Sequence, residues 1–323
     1  MGDTIELTAQ VPADLHGSRL DQAAAQLFPA YSRSRLQSWI RKGHLRVDGA
    51  QLRPRDAVAA GALLKVATSL EPAVSWVAQD IALQIIHEDD SILVLDKPAG
   101  LVVHPAAGHS AGTLVNALLA HSSEFEQLPR AGIVHRLDKE TSGIMVVAKN
   151  LVAHNDLVNQ LQARSVQREY VAVCMGALTG GGTINAPMGR HPRQRKKMAV
   201  VEHGGKSAIT HYRVTRRFAN HTQIDVSLET GRTHQIRVHM AHRHSPLVGD
   251  PVYGGRPRIP RGASPELIEG LRSFSRQALH AKRLGLIHPA SGEPVQYECP
   301  IAGDLSALIE LLAREDVPGK VDG

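Results

Sequence analysis

The chain has few aromatic residues, few cysteines and no long apolar run. These shortages argue against an aromatic core, a cysteine zinc site and a membrane-spanning helix. Aromatic residues make up only 3% of the 323 residues, so the core must be mainly aliphatic. Cys174 and Cys299 lie far apart and match no zinc-ligand spacing, which is typical of a reducing compartment. No apolar run approaches the ~18 to 20 residues of a membrane span, and the start MGDTIELTAQVP lacks the apolar segment of a signal peptide. We therefore expect a cytoplasmic protein with no membrane partner.

Basic residues exceed acidic ones, with 37 Lys and Arg against 31 Asp and Glu and a formal net charge of +6. Such an excess favours a polyanionic partner, either nucleic acid or an anionic membrane surface. The hydrophobic fraction of 42% is enough for a sizeable core and argues against wholesale disorder.

Residues 1–66 have the pattern of a small α/β domain. RLDQAAAQLF predicts one helix, and SRSRLQSWIRKG predicts a second with Ser32 or Ser34 as N-cap and Gly43 as its end. HLRVDGAQL predicts two short strands joined by an Asp-Gly type I′ turn, and GALLKV a closing strand. Residues 67–79 lack periodicity and contain a proline, so we expect a linker there.

The predicted small domain carries charges of nearly one sign. The basic residues are Arg33, Arg35, Arg41, Lys42, Arg46, Arg53 and Arg55. A solvated charged face is one explanation, but the single sign favours a surface that binds RNA phosphates. The candidate RNA contacts are the four on the second helix, Arg33, Arg35, Arg41 and Lys42. The pattern resembles the S4-like RNA-binding domain found at the N-terminus of several RNA-modifying enzymes.

Residues 80–323 predict a second, larger domain with a mixed, mostly antiparallel α+β sheet, because strand patterns dominate without a regular βαβ alternation. The predicted strands are GIMVVAKN, REYVAVCMGAL, HYRVTRRF, TQIDVSLE and ALHAKRLGLIHP, with a strand-turn-strand at ILVLDKPAGLVVHP. The predicted helices are GTLVNALLAHS, LVAHNDLVNQLQA, DLSALIELLARE and, after a turn, GRTHQIRVHMAHRH. Residues 190–197, RHPRQRKK, predict a basic loop.

One short motif indicates a different chemistry. GHSAG matches the G-x-S-x-G nucleophile elbow of serine hydrolases, with Ser110 as nucleophile. Asp138 and His280 follow in the chain order that such a triad can have. The elbow, however, needs a strand that ends at the serine, and here a proline-containing loop precedes Ser110. We keep a serine hydrolase as an alternative.

A cluster of histidines, His239, His242 and His244, raises the question of a metal. No carboxylate lies where a zinc hydrolase places its base, and the neighbouring Arg237 and Arg243 oppose a divalent cation. The turn TGGGT lacks the spacing of a dinucleotide loop and the lysine of a phosphate loop. We therefore expect neither a metal nor a cofactor.

The stretch AGIVHRLDKETSGIMVVAKN places Asp138 between Arg136 and Lys139, and between two apolar runs. Taken alone, such an aspartate is a turn or N-cap residue. HRLDKETSG, however, resembles the signature of the RluA-type pseudouridine synthases. REYVAV resembles the second motif of that family, LETGRTHQIRVHM its third, and LDKPAGLVVHP the opening of its catalytic domain. The resemblance covers nearly the whole chain.

The resemblance implies an isomerase that cuts the C1′–N1 bond of uridine, turns the base and rejoins it through C5. No group or electron is gained, which agrees with the lack of cofactor motifs. It implies that Asp138 is the catalytic carboxylate and that Arg232 is its cationic partner, which would oppose the rise in pKa that burial causes. Tyr170 is expected to stack on the base and to remove the C5 proton.

The same resemblance implies the RNA contacts of the larger domain. His135 and Arg136 would meet the target nucleotide, with Arg136 filling the gap of the flipped base. Arg168 stands where many relatives have lysine and retains the charge. The implied partner is 23S ribosomal RNA, at the helix 69 stem-loop, or a large-subunit particle, acted on by a monomer. An RNA-binding or ribosome-assembly factor without catalysis stays open as an alternative.

Overall fold

A computed structural model describes residues 4–29, 31, 33–69, 76–105, 111–194 and 197–315. Contacts within the chain divide it into a first unit, Met1–Ser75, and a second unit, Trp76–Gly323. Each unit has its own hydrophobic core.

The first unit is a three-stranded antiparallel sheet covered by two helices. Its elements are β1 (Thr4–Gln10), α1 (Leu20–Leu27), α2 (Arg33–Lys42), β2 (Leu45–Val47) and β3 (Leu63–Ser69). The strand order is β1-β3-β2. Aliphatic side chains, with Phe28 and Trp39, fill the core of the unit.

Both predicted helices of this unit are confirmed, but its sheet differs from the expected hairpin. Asp48 and Gly49 have φ of 48° and 79°, the two positive values that a type I′ turn requires. Beyond the turn only Val47 and Ala50 form a bridge, and β2 pairs with β3 instead. Ser34 lies inside α2 and not at its N-cap, and Ser32 lies outside the described residues.

The strand β3 extends into the segment expected to be a linker. Ala67 and Thr68 pair with Glu6 and Ile5 of β1, a strand that the sequence patterns did not reveal. The backbone from residue 67 therefore has ladder partners up to Ser69. Residues 70–75 lie outside the described part, and 76–80 have no regular structure.

The second unit contains most of the chain. Its strands are β4 (Gln84–Glu88), β5 (Ile92–Lys97), β6 (Ser142–Ala148), β7 (Gln167–Met175), β8 (Gly182–Asn185), β9 (Met188–Arg190), β10 (Met198–Val200), β11 (Ile209–Arg217), β12 (His221–Leu228), β13 (Leu279–Ile287) and β14 (Pro294–Glu298). Its α-helices are α3 (Leu114–His121), α4 (Leu151–Ala163), α5 (Gln235–His242), α6 (Pro265–Ser273) and α7 (Gly303–Glu315). Within the described residues, no helix is long and apolar enough to cross a membrane.

Nine strands form one sheet in the order β4-β5-β6-β13-β7-β12-β11-β8, with β14 added on β13. The pair β6·β13 is parallel, and the other pairs along the described sheet are antiparallel. The predicted mixed, mostly antiparallel α+β fold is therefore confirmed. β9 and β10 form a separate hairpin, and the predicted basic loop lies between them, with residues 195–196 outside the described part.

The central strand β7 is buried on both faces. Tyr170, Ala172 and Cys174 of β7 belong to the larger core of the second unit. The alternate residues Val171 and Val173 pack in the core that also contains residues of α6 and α7. A strand held on both faces is a rigid support for side chains at its ends. The second strand expected in LVVHP is only a single bridge, between Val102 and Thr113.

Candidate active site

The loop that precedes β6 carries Asp138 and is held through its backbone. The Asp138 carbonyl accepts a hydrogen bond from the Thr141 N–H at 3.0 Å, which closes a tight turn. The Lys139 carbonyl accepts from the Gly100 N–H at 2.9 Å and from Lys97 Nζ at 3.1 Å. These bonds fix the backbone of the loop and leave the Asp138 side chain available for other contacts.

Lys97 is a buried cation at the end of β5, with no exposed surface. Its Nζ also donates to the carbonyls of Pro98 at 2.7 Å and Leu101 at 3.0 Å. Burial lowers the pKa of Lys97 to about 8. On the other side of the turn, Gln277 Nε2 donates to Thr141 Oγ1 at 2.9 Å. The Asp138 loop is thus attached to two distant parts of the chain.

Asp138 lies in the wall of a cavity of about 980 Å³. The polar residues lining it include His104, Arg130, His135, Arg136, Asp138, Arg164, Arg168, Tyr170, Arg232, His234 and Arg237. The volume lies at the upper end of the roughly 300 to 1,000 Å³ typical of small-molecule sites. A basic cavity of this size suits a nucleotide better than a small neutral substrate.

Arg237 joins Asp138 to a second carboxylate. Its Nη1 donates to Asp138 Oδ2 at 3.0 Å, while Nε and Nη2 donate to Asp250 Oδ2 and Oδ1 at 2.7 and 2.9 Å. Burial would lower the pKa of Arg237, but Asp250 and Asp138 raise it. Asp250 is fully buried in its side chain and also accepts from the backbone N–H groups of Val252 and Tyr253. Arg237 is therefore a fixed cation that holds one oxygen of Asp138.

The predicted partner, Arg232, was the wrong arginine of the motif. Arg232 lines the cavity, but its Nε donates to the Ser207 carbonyl at 3.1 Å. It lies in the loop before α5, whereas Arg237 is in the first turn of that helix. A Cβ at the neighbouring Gly231 would lie 2.6 Å from Arg168 Nη1. The glycine leaves space for Arg168.

Tyr170 lies at the cavity near Asp138, on β7, and its side chain is almost fully buried. Burial raises the pKa of Tyr170; the charge of Asp138 acts in the same direction and that of Arg168 opposes it. The phenol is therefore neutral at pH 7. Arg168 is buried too, and its Nη2 donates to the carbonyls of Leu228 at 3.4 Å and Glu229 at 3.3 Å. This position favours shaping the pocket over an exposed phosphate contact.

His135 and Arg136 precede Asp138 and differ in exposure. His135 Nε2 accepts from the Val146 N–H at 3.1 Å, and burial lowers the pKa of His135 to about 3. The ring is thus neutral and ties the loop to β6. Arg136 is exposed and lines the cavity, where its charge can meet a phosphate or a base.

Known proteins resemble this chain over nearly its whole length. The chain is 60% identical, over 315 residues and 98% of both chains, to the ribosomal large subunit pseudouridine synthase D of Pseudomonas aeruginosa. The chain belongs to the RNA pseudouridylate synthase family. It is also 54% identical to the protein of the same name from Xanthomonas campestris, covering 95% of this chain and 92% of that one. The family suggested by the sequence motifs is confirmed.

Two family models match the chain, one within each of the two units of the structure. A model described as RNA pseudouridylate synthase matches residues 91–242, and one described as S4 domain matches residues 18–64. Among solved structures, human RNA pseudouridylate synthase domain containing 4 is 24% identical, with a TM-score of 0.56 over 71% of this chain and 93% of that one. At this identity the likeness supports the fold alone.

The predicted RNA contacts of the S4 domain lie on α2. One of them, Arg33, forms an ion pair with a buried carboxylate. Arg33 pairs with the buried Asp21, with Nη2 at 2.7 Å from Oδ2. Burial would raise the pKa of Asp21, but hydrogen bonds from Arg19, Arg33 and Gln37 hold it well below its usual range. Arg41 Nη2 donates to Gln37 at 3.3 Å. Arg35 and Lys42 are exposed on the same helix.

The residues considered for a serine-hydrolase triad and for a metal site have other partners in this RNA pseudouridylate synthase. His280 contacts Ser142 Oγ at 3.0 Å and Cys299 Sγ at 3.4 Å, whereas Asp138 is held by Arg237. Ser110 lies outside the described residues. In the histidine cluster, Thr210 and the Ala186 carbonyl contact the two ring nitrogens of the buried His239.

Sequence reasoning missed Asp250, His234 and Tyr253, which surround the Asp138–Arg237 pair. His234 Nδ1 lies 2.9 Å from the Tyr253 hydroxyl, and its Nε2 lies 3.9 Å from Asp138 Oδ1. A signal was present for His234, which lies within the third motif. Asp250 and Tyr253 come after α5, and their approach depends on tertiary packing that no periodicity reveals.

Proposed function

We propose that this chain converts specific uridines of large-subunit ribosomal RNA to pseudouridine, without a cofactor. The observation that carries the proposal is the carboxylate of Asp138 in the wall of a basic cavity, with Arg237 on one oxygen. The other oxygen, Oδ1, lies 3.9 Å from His234 Nε2. An ionised carboxylate at this place can attack or stabilise the anomeric carbon as the glycosidic bond breaks.

The overall reaction balances within the substrate. The C1′–N1 bond breaks, a C1′–C5 bond forms, the proton at C5 leaves, and N1 gains a proton. Tyr170 is the proposed stacking surface for the detached base. Stacking of a base on an aromatic ring is worth roughly 1 to 3 kcal/mol. The hydroxyl can take the C5 proton only after it has lost its own proton, and the positive charge of Arg168 favours that loss because it opposes the rise in the pKa of Tyr170.

The proposed substrate follows from the relatives, whose name specifies the large ribosomal subunit. The finer assignment to the helix 69 stem-loop of 23S RNA rests on the family resemblance. RNA pseudouridylate synthases need a base that can leave its stack, and bases of loops are the most accessible. The S4 domain is proposed to hold that RNA through phosphates, and the enzyme is proposed to act as a cytoplasmic monomer.

The deciding experiment measures tritium release from 23S RNA labelled with tritium at uridine C5. The wild-type chain should release tritium, and Asp138→Asn should not, while the affinity of both for the RNA stays similar. Release by Asp138→Asn at the wild-type rate would reject Asp138 as the catalytic group. Absence of release by the wild type, on free RNA and on ribosomal particles, would favour an RNA-binding factor without catalysis.

A further inference from the structure

The imidazole of His234 lies between the catalytic carboxylate and a tyrosine. Its Nε2 is 3.9 Å from Asp138 Oδ1, the oxygen opposite the one that Arg237 holds. Its Nδ1 is 2.9 Å from the Tyr253 hydroxyl, which also accepts a hydrogen bond from the Met198 N–H at 3.0 Å. The two oxygens of Asp138 therefore face different groups, a fixed cation and an imidazole.

The hydrogen bonds of Tyr253 favour one tautomer of His234. The Tyr253 hydroxyl already accepts from Met198, so its own proton is free to be donated to His234 Nδ1. The neutral ring then carries its proton on Nε2. The opposite tautomer would direct an Nε2 lone pair towards the Asp138 carboxylate, which is repulsive. Both considerations place an N–H group in front of Asp138 Oδ1.

Tyr253 is itself well placed to hold this arrangement. Its ring lies 5.1 Å from the Arg237 guanidinium carbon and 5.6 Å, edge to face, from the His234 ring. Its backbone N–H donates to Asp250 at 3.0 Å. One residue thus contacts both side chains that flank the carboxylate of Asp138.

The backbone of His234 has a conformation that is uncommon for a residue other than glycine. With φ of 59° and ψ of 24°, His234 is in the left-handed region at the start of α5. Glycine adopts this conformation most readily, followed by asparagine, aspartate and histidine. Such an unfavourable backbone beside a reactive group is typical of a functional side chain.

We propose that His234 is a positioning residue for Asp138, whose Nε2–H becomes a second hydrogen-bond donor to Oδ1 when the substrate fills the cavity. The inference rests on the proposed function. Hydrogen bonds in a substrate-free site are often long and shorten in the complex, which accounts for the 3.9 Å separation. With Arg237 on Oδ2 and His234 on Oδ1, the carboxylate cannot rotate away from the anomeric carbon.

The donor must also be uncharged, because an imidazolium would pair with Asp138 and compete with Arg237. The charged and titratable groups that face His234 are Asp138 and Arg136 from the catalytic loop, Arg237 on α5, and Asp250 and Tyr253 after it. Burial lowers the pKa of His234; Arg237 and Arg136 act in the same direction, while Asp138 and Asp250 oppose them. The ring is neutral at pH 7, and acid should convert it into the competing cation.

The test compares His234→Gln with His234→Asn. A glutamine amide can reach the position of Nε2 and donate to Asp138, whereas an asparagine amide reaches only the position of Nδ1 and contacts Tyr253. We expect His234→Asn to slow single-turnover tritium release by about 10- to 100-fold, the effect of one charge-assisted hydrogen bond. His234→Gln should retain most of the wild-type rate.

A merely structural role predicts the opposite order. Asparagine tolerates the left-handed backbone better than glutamine and keeps the contact with Tyr253, so it would be the milder change. Equal rates for the two variants, or a faster His234→Asn, would overturn the proposal. RNA affinity, measured by filter binding, should change by less than about twofold in both, since the contact is made to Asp138 and not to the RNA itself. A wild type that releases no tritium would reject the proposed function and the inference with it.

The Tyr253→Phe variant provides a second readout. It keeps the ring against Arg237 and removes only the hydroxyl that donates to His234. Loss of that donor should raise the pKa of His234, so the acid limb of the rate profile should move up by about 0.5 to 1 pH unit. The same limb should disappear in His234→Gln. An acid limb that is identical in all three proteins would show that it does not arise from His234.

Discussion

At the scale of single residues, the two arginines of the third motif have different tasks. Arg237 connects Asp138 and the buried Asp250, whereas Arg232 donates to a backbone carbonyl at the cavity rim. Removal of one partner from a buried ion pair leaves an unpaired charge and costs about 3 to 5 kcal/mol. An alanine change alone therefore cannot separate the proposed catalytic contribution of Arg237 from its contribution to stability.

We expect Arg237→Ala to lower both stability and activity, the latter by about 100-fold or more. Arg237→Lys should recover part of the stability but little activity, because one ammonium cannot reach both carboxylates in the same geometry. Arg232→Ala is the matched control and should keep the wild-type melting temperature. Thermal unfolding and single-turnover tritium release measure the two effects. Similar activity losses for Arg232→Ala and Arg237→Ala would contradict this assignment.

The Tyr170→Phe change separates two proposed roles of one ring. Phenylalanine keeps the stacking surface and removes the hydroxyl that would accept the C5 proton. We expect cleavage of the glycosidic bond to continue and tritium release to fall by about 100-fold, within the range of general base catalysis. Release at the wild-type rate would leave Tyr170 as a stacking platform only. Tyr170→Leu, which lacks an aromatic face, is the control for stacking.

At the scale of elements, the parallel pairing of β6 with β13 places Ser142 and Gly143 opposite His280 and Ala281. Gly143 has φ of 115°, and a Cβ there would lie 2.2 Å from the Ala281 carbonyl oxygen. Only glycine allows β13 to approach the end of the Asp138 loop so closely. The same approach brings Gln277, just before β13, within bonding distance of Thr141.

Gly143→Ala should therefore destabilise the second unit by several kcal/mol, because a backbone atom cannot move aside without breaking the ladder. The control is Gly204→Ala, where φ is 70° but no atom lies within 4 Å of the added Cβ. That change should cost only about 1 kcal/mol, the backbone part of the effect. Urea unfolding followed by circular dichroism measures both. Equal losses would show that backbone conformation, and not the contact with Ala281, sets the requirement for glycine.

The strands β6, β7, β12 and β13 were predictable, since β6 and β7 are buried on both faces and β12 and β13 have alternating or apolar patterns. β1 and β4 were not, because exposed positions in an edge strand leave little pattern; Ile85 and Ile86 of β4 are both exposed. The choice between Arg232 and Arg237 was also beyond the sequence. Both lie in one motif, and only the packing of α5 against the Asp138 loop distinguishes them.

At the scale of the whole molecule, the two units differ in their buried ionisable groups. Burial lowers the pKa of His135 to about 3 and those of His104, His221 and His280 to about 4, and all four lie in the second unit. The first unit instead buries the carboxylate of Asp21, whose pKa is well below its usual range because Arg19 and Arg33 pair with it. Acid should therefore act on the two units at different pH.

For the four histidines the folded-state pKa is below that of the unfolded chain, about 6.5. The unfolded state then binds more protons below pH 6.5, so this stability is present above that value and is lost as the pH falls towards 4. Each such group contributes up to about 1.4 kcal/mol per pH unit. The pKa of Asp21 is also lower in the folded chain than in the unfolded chain, where it is about 4. Its contribution to stability is therefore lost only below about pH 4.

The two tryptophans allow each unit to be followed separately in the full chain, since Trp39 lies in the first unit and Trp76 in the second. In Trp39→Phe the fluorescence reports on the second unit, and in Trp76→Phe on the first. Between pH 7.5 and 5, the urea midpoint should fall in the Trp39→Phe protein and change little in the Trp76→Phe protein. Equal shifts would mean that the buried histidines do not control acid stability. His221→Leu removes one of these groups and should make the fall less steep.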